Sequence, residues 1–436
     1  MSILTMTTII TIALMISLAS GAPVAFCLFG LAIIFGLIFI GPNTLYMAFT
    51  ALYGNMNQEL YLSVPLFVLM ATLLESSGIA SDLYEVMHKW MAGLKGGLAM
   101  GTCLICSLID AMSGLGATST ITMGVLALPE MLKRGYNKQL AIGCIPCGGA
   151  LGPLIPPSVV MILMGGLTGL SVGKLFMAGF VPGFLITFLF CAYIGIRCII
   201  NPAMGPALPV EERGTWREKI ISLRRVIAAI LLIVVIMASI YSGACTPTEA
   251  GGLGAAGTFI IVLVRRRLNW ETLTKALYTS MKVTAMVMWL LIGGTAFSAM
   301  LNSLGISDYL ANFLINASGS KMTVIWMMLI ATCIMGCFMD AAAVLMICTP
   351  VFFPVVNKLG MDPLWFGGIF TIALVIGYVT PPFGMNLFYM KGLVPANITM
   401  QDIWKSVFPY TIMMIVGLVL CVYFPSLVTY LPSLMK

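Results

Sequence analysis

Hydrophobic side chains make up 60% of this 436-residue chain, charged ones only 8%, and the mean hydropathy is +1.07. These values exclude a soluble globular domain and describe an all-α polytopic membrane protein with room for roughly ten spans of about 20 residues. The net charge of +7 is scattered through short joints between apolar runs, a pattern that encodes topology and excludes a nucleic-acid surface.

The opening MSILTMTTIITIALMISLASGAPVA has small residues at Ser20, Gly21 and Ala22 but no basic n-region, so it reads as a retained first span rather than a cleaved signal. Glu75 lies near the cytoplasmic end of a later span, within reach of the interface. The amphipathic SDLYEVMHKWMAG carries the single histidine, His88, beside Lys89 and Trp90, a composition suited to an interfacial helix. Residues 97–134 run apolar, then small and polar around Asp110 to Ser119, then apolar again, which predicts a re-entrant hairpin.

Residues 138–166 contain GGALGPLIPPS, where Pro156 and Pro157 remove backbone donors and the glycines permit unwinding, so the span breaks near the midplane. Freed carbonyls and half-helix ends at such a break ligate cations or face carboxylates, so the break reads as a binding site. Residues 201–225 form the one long polar stretch, read as a cytoplasmic linker with an amphipathic arm, and 265–282 as a second arm. Thr246-Pro247-Thr248-Glu249 fits a capping box with proline at the first helical position. A second hairpin is expected at 321–357 and a second broken helix, ALVIGYVTPPFGMN with Pro381 and Pro382, within 363–391.

These elements form an internal repeat, 1–200 and 226–436. Pro129 to Pro157 aligns without gaps on Pro354 to Pro382 at a constant offset of 225, matching mainly glycines and prolines. With small shifts, Pro23 corresponds to Pro247, Asp82 to Asp308 and Asp110 to Asp340. Eighteen of the 22 Lys and Arg fall on one side of the predicted spans, leaving only Lys174, Lys321, Lys358 and Lys436 on the other. The first side is then cytoplasmic and both termini face out. The basic KRGYNK (133–138) lies inside and its mate KLGMDP (358–363) outside, so the copies are expected to be inverted in the membrane.

Asp340, at its hairpin tip, is a functional candidate because an unpaired carboxylate at depth is costly; Asp110 is either functional or paired with a helix N-terminus. Cys103/Cys106 and Cys144/Cys147 have CxxC spacing but lie in apolar runs too far apart for a zinc ribbon, so they are buried apolar residues and no transition metal is expected.

Several stretches together carry a family resemblance: LSVPLFVLMATLLESSGIASDL, MSGLGATS, GALGPLIPPS, CTPTEAGG, FMDAAAVLMICTPVFFPVVNKLGMDP and GYVTPPFGMNLFYMKG. Over nearly its whole length the chain resembles the large (M, DctM-like) membrane subunit of tripartite ATP-independent periplasmic (TRAP) transporters, in the ion-transporter superfamily. The resemblance implies a non-enzymatic secondary active transporter in the bacterial cytoplasmic (inner) membrane. It would take up an organic carboxylate with sodium (Na+) as coupling ion and no cofactor, by an elevator movement of the hairpin-bearing domain. It also implies two partners, a small four-span membrane subunit and a periplasmic substrate-binding protein. C4-dicarboxylates, sialic acid and sugar acids all fit.

By repeat symmetry, one sodium site draws on Ser113, Gly114 and carbonyls from Gly149 to Gly152, and a second on Asp340 and Gly377 to Thr380. Thr118, Ser119, Ser158 and Asn386 are placed to donate hydrogen bonds to the substrate carboxylate. The family's first tip resembles Ser-Gly-Ser, whereas Leu115 here lacks the side-chain oxygen. A stand-alone sodium-coupled anion or dicarboxylate carrier is the alternative. An intramembrane aspartyl enzyme is disfavoured because the GxGD context is absent.

Overall fold

The computed structural model describes residues 2–435 except 115, 210–212, 214 and 318, and the side chain of Ser113 is likewise not described. Helices account for all regular structure among the described residues, so the all-α expectation holds. The first half opens with α1 (Ile3–Ala19), α2 (Val24–Phe39), α3 (Asn43–Met56), α4 (Ser63–Ser76) and the amphipathic α5 (Ile79–Met91). It continues through α6 (Gly97–Ser113), α7 (Gly116–Lys133), α8 (Lys138–Gly148), α9 (Val159–Thr168) and α10 (Val172–Ile200).

After the linker come α11 (Trp216–Leu223), α12 (Ile227–Tyr241), α13 (Pro247–Val264), α14 (Trp270–Ser303) and α15 (Ile306–Asn316). The chain ends with α16 (Lys321–Gly336), α17 (Ala341–Lys358), α18 (Pro363–Val379), α19 (Met385–Lys391), α20 (Met400–Tyr423) and α21 (Ser426–Ser433). Among the described residues, six helices are individually long and apolar enough to cross a membrane, and α11 with α12, bent by 52°, adds a seventh. The remaining apolar helices are shorter because glycines and prolines divide them.

The 225-residue offset extends to the helix boundaries. α7 and α17 both start and stop 225 residues apart, and so do the starts of α8 and α18. The caps match as well: Asn137 accepts from the backbone N–H of Gln139 at 2.9 Å, and Asp362 from that of Leu364 at 2.8 Å. Each side-chain oxygen takes up a donor that the first helical turn leaves open.

Packing follows the same exchange. α13 lies on α4 and α14 on α2; α6 lies on α8 and α16 on α18; α7 lies on α19 and α17 on α9. The last pair of contacts interleaves the two halves, so the core around both interrupted helices is built from both. At α13 the capping box forms, with Thr246 and Glu249 exchanging backbone hydrogen bonds and Pro247 at the first helical position. Thr246 also donates its hydroxyl to the exposed Glu249 carboxylate at 3.0 Å.

Two observations refine the expected linker and arms. Residues 204–208 are fastened beneath the α6/α7 pair: Gly96 N–H donates to Gly205 O at 2.8 Å, Asn137 N–H to Met204 O at 2.9 Å, and Leu208 N–H to Ala92 O at 2.9 Å. The turn between α13 and α14 holds α5 by charge. Buried Asp82 accepts from both terminal nitrogens of Arg267, at 2.7 and 3.1 Å, and from Arg265 at 3.3 Å. Arg266 between them takes a left-handed φ of 53°, which turns its neighbours toward the same carboxylate. In the other copy, Asp308 instead meets Lys358 at the end of α17, at 2.5 Å.

Asp82→Ala leaves two guanidinium groups facing an emptied, largely buried position. A loss of about 2 kcal/mol is expected, discounted for the partial exposure of Arg267. Denaturant unfolding of the variant in detergent checks it.

Candidate functional site: two helix tips seated on two breaks

The first break runs from the end of α8 to Ser158, which caps α9; the second occupies residues 380–384 between α18 and α19. Each contains a cis peptide bond, Pro156–Pro157 and Pro381–Pro382. Each also lies against the turn of its neighbouring helix pair.

At the first, the chain passes from α6 to α7 through Gly114, whose left-handed φ of 60° suits glycine. A Cβ added there would stand 2.7 Å from the carbonyl oxygen of Pro157, and one at Gly116 only 2.5 Å from that of Gly149. A Cβ on Gly149 would in turn meet the Thr120 hydroxyl at 2.1 Å and that of Ser119 at 2.8 Å. The tip therefore touches the break backbone to backbone. Gly149 and Gly152 are both buried beside this contact. The Ser113 side chain and Leu115 lie outside the described residues.

The second tip meets its break in the same manner. Gly336 ends α16 against Gly377 in the last turn of α18, and a Cβ on Gly377 would come within 2.6 Å of Gly336 Cα. Asp340 caps α17, one carboxylate oxygen accepting from Ala342 N–H at 3.0 Å and the other from the Tyr378 hydroxyl. Thr380 gives its hydroxyl proton to Ile376 O at 2.6 Å, which leaves its oxygen lone pairs free to accept or to ligate. Asp340 is thus tied to Tyr378, the residue after Gly377, and Gly114 lies against Pro157 and Gly116 against Gly149.

The two aspartates do not occupy equivalent places, contrary to the sequence correspondence. Asp110 lies in the last turn of α6, whereas Asp340 precedes the first residue of α17; the residue 225 positions before Asp340 is Leu115. Their surroundings differ accordingly. Asp110 is fully buried, and among the described residues neither carboxylate oxygen has a hydrogen-bond partner of good geometry. The position equivalent to Tyr378 is Pro153, which has no hydroxyl to offer. Among the described residues Ser119 is the one hydroxyl within reach of this carboxylate, and it also lies 3.3 Å from Gly116 O.

Two of the four expected carboxylate donors are already committed. Ser158 donates to Pro153 O at 2.6 Å and accepts from Met161 N–H at 3.4 Å, the ordinary work of a helix cap. Asn386 donates to Pro146 O at 3.1 Å, bridging the two halves, and its own carbonyl oxygen is buried without a partner. Asn386 therefore keeps an open acceptor, suited to a cation, beside the second N–H of its amide. Thr118, half-buried, and Ser119, buried, remain beside the first tip.

Sequence reasoning missed Tyr378 and Thr120. Tyr378 stands within the GYVTPP stretch already singled out, and an acid at the facing tip was the signal that it needs a donor. The paired cysteines are buried free thiols, and no metal-holding cluster occurs among the described residues. An apolar cleft of about 340 Å³ lies between α10, α12 and Ile155–Pro156. Tyr241 is the one polar side chain in its wall, so a carboxylate finds nothing to bind there.

The curated relatives of this multi-pass helical chain are transport permeases, a non-enzymatic class to which it belongs. The comparisons give the family: the Tripartite ATP-independent periplasmic transporter, DctM component, whose pattern matches residues 11–427, and the chain belongs to it. It is accordingly a multi-pass inner-membrane protein.

The chain is 30% identical over 400 residues to the C4-dicarboxylate TRAP transporter large permease protein DctM of Pseudomonas aeruginosa, covering 91% of this chain and 92% of that one. It is 30% identical over 417 residues to the 2,3-diketo-L-gulonate TRAP transporter large permease protein YiaN of Escherichia coli, with 94% and 95% covered. Among solved structures, the YdaH transporter of Alcanivorax borkumensis is similar in fold, with a TM-score of 0.65 at 16% identity, covering 95% of this chain and 98% of that one.

Proposed function

We propose that the chain takes up an organic carboxylate across the inner membrane, driven by a sodium gradient, as the large subunit of a tripartite transporter. The observation that carries this reading is the duplicated seating of a helix tip on a broken helix through glycine contacts. Broken helices place backbone carbonyls and helix ends at membrane depth, where they replace the hydration of an ion or a carboxylate. The charge distribution supports inverted copies, and inverted copies support alternating access. The two tip-bearing helix pairs with their breaks would move as one body against α2, α4, α13 and α14, in an elevator movement.

Sodium prefers hard oxygen ligands. The second site combines the Asp340 carboxylate, the Thr380 hydroxyl oxygen and carbonyls near Gly377; the first combines carbonyls at Gly114 and Gly149–Gly152. The relatives named for C4-dicarboxylate and for 2,3-diketo-L-gulonate both handle carboxylates, which supports that substrate class. The substrate would lie between the tips, with the half-buried Thr118 as donor. The partners are a small four-span subunit bracing the static helices and a periplasmic binding protein that delivers substrate.

Gentle extraction of the tagged chain from its host membrane tests the assembly: a stoichiometric small membrane subunit supports it, and a lone homodimer favours the stand-alone carrier. Thr380→Val tests the second site. The variant removes one oxygen while keeping shape, so the sodium concentration for half-maximal uptake is expected to rise about tenfold, corresponding to about 1.4 kcal/mol. Unchanged sodium dependence would remove Thr380 from the site.

A further inference from the structure

We propose that the outward face of α11 is a binding site for an anionic phospholipid headgroup of the inner leaflet. The inference uses only membrane location and the geometry around α11, and stands apart from the transport mechanism.

One side of α11 is anchored on α5. Trp90 donates its indole N–H to Lys219 O at 3.2 Å, and the Trp90 and Trp216 rings meet edge to face at 6.1 Å. Lys219 lies over the Trp216 ring at 5.2 Å, and Ser222 is buried. Arg225 pairs with Glu85, the residue that also binds Lys89, so that acid is already taken.

On the opposite side Ile220 and Ile221 meet no partner among the described residues, and Trp216, held at its edge by Trp90, keeps the rest of its ring open. Trp216, Ile220 and Ile221 are 72%, 59% and 48% exposed. Arg217 and Arg224 are exposed on the same side, and among the described residues neither has a carboxylate partner. A tryptophan and two isoleucines interleaved with two arginines suit neither bulk water nor hydrocarbon. They suit the headgroup layer, where the apolar groups enter the acyl boundary and the arginines extend outward.

The position along the chain agrees. α12 alone spans 15 residues, about 22 Å at the helical rise, short of the hydrocarbon thickness. α11 continues it after the 52° bend, so it leans where the span leaves the membrane. Guanidinium groups match phosphate oxygens in bidentate geometry, and an unpaired pair of them favours a phosphate diester with net negative charge over a zwitterion. Electrostatic attraction to an anionic leaflet contributes on the order of fivefold per basic residue at moderate salt.

The test uses the full chain, with any membrane partner it retains, in vesicles of dibrominated phosphatidylcholine or of dibrominated phosphatidylglycerol diluted into phosphatidylcholine. Bromine quenches nearby tryptophan, and the difference between the native chain and Trp216→Phe isolates this residue among the seven tryptophans. The expected result is that the Trp216 component is quenched several-fold more by the anionic lipid at equal mole fraction. In Arg217→Gln/Arg224→Gln that preference falls to parity while quenching by the zwitterionic lipid persists, which shows the helix still in place. Equal quenching by both lipids in the native chain would overturn the proposal. So would absence of quenching by either, which would mean that a protein partner covers the face.

Discussion

Gly377→Ala is expected to abolish uptake and to destabilise the chain, although it adds a single methyl group. The new Cβ would stand 2.6 Å from Gly336 Cα, 2.9 Å from Gly336 C and 3.1 Å from Cys333 O. All three neighbours are backbone atoms, so no side-chain rotation relieves the clash; α16 and α18 must move apart. Overpacking of this kind costs about 1–3 kcal/mol, and here it also draws Asp340 away from Tyr378. Gly252→Ala in α13 is the control, since a Cβ there meets nothing within 4 Å. The measurement pairs thermal unfolding with uptake into proteoliposomes: Gly377→Ala loses both and Gly252→Ala loses neither.

Asp110→Asn is expected to separate stability from function. An ionised carboxylate that is fully buried, with only the Ser119 hydroxyl in reach among the described residues, costs several kcal/mol. The amide carries no charge and removes that cost, so the variant should unfold at the same or a higher temperature in sodium-free buffer. A ligand present at a hundred times its Kd stabilises by about 2.7 kcal/mol, and if Asp110 faces the coupling ion, the variant loses part of this gain. Uptake should fall at least tenfold with folding intact. A variant that transports normally would assign Asp110 to structure alone.

The duplicated framework was legible in sequence because glycine and proline act locally. Pro156–Pro157 and Pro381–Pro382 interrupt their helices whatever surrounds them, and Asn137 and Asp362 cap helices that begin 225 residues apart. The boundaries of α7 and α17 follow the same offset for that reason.

Side-chain roles were less legible, because they depend on which partner the fold supplies. Asp110 and Asp340 look alike in sequence, yet Asp340 caps α17 and meets Tyr378 whereas Asp110 lies in the last turn of α6, away from any equivalent of that pair. Ser158 reads equally as a donor to substrate or as a helix cap, and only the proximity of Pro153 O decides it. Asn386 is fixed in place because one of its amide hydrogens is claimed by Pro146 O, a carbonyl from the other half of the chain. Pairing across 240 residues leaves no local trace.

The most direct test of the central claim is equilibrium binding of radioactive sodium to the purified chain. The duplicated tip-and-break arrangement predicts saturable binding of two ions, with Thr380→Val removing one and leaving the other. No saturable sodium binding in the native chain, or binding unaltered by both Thr380→Val and Gly377→Ala, would contradict it.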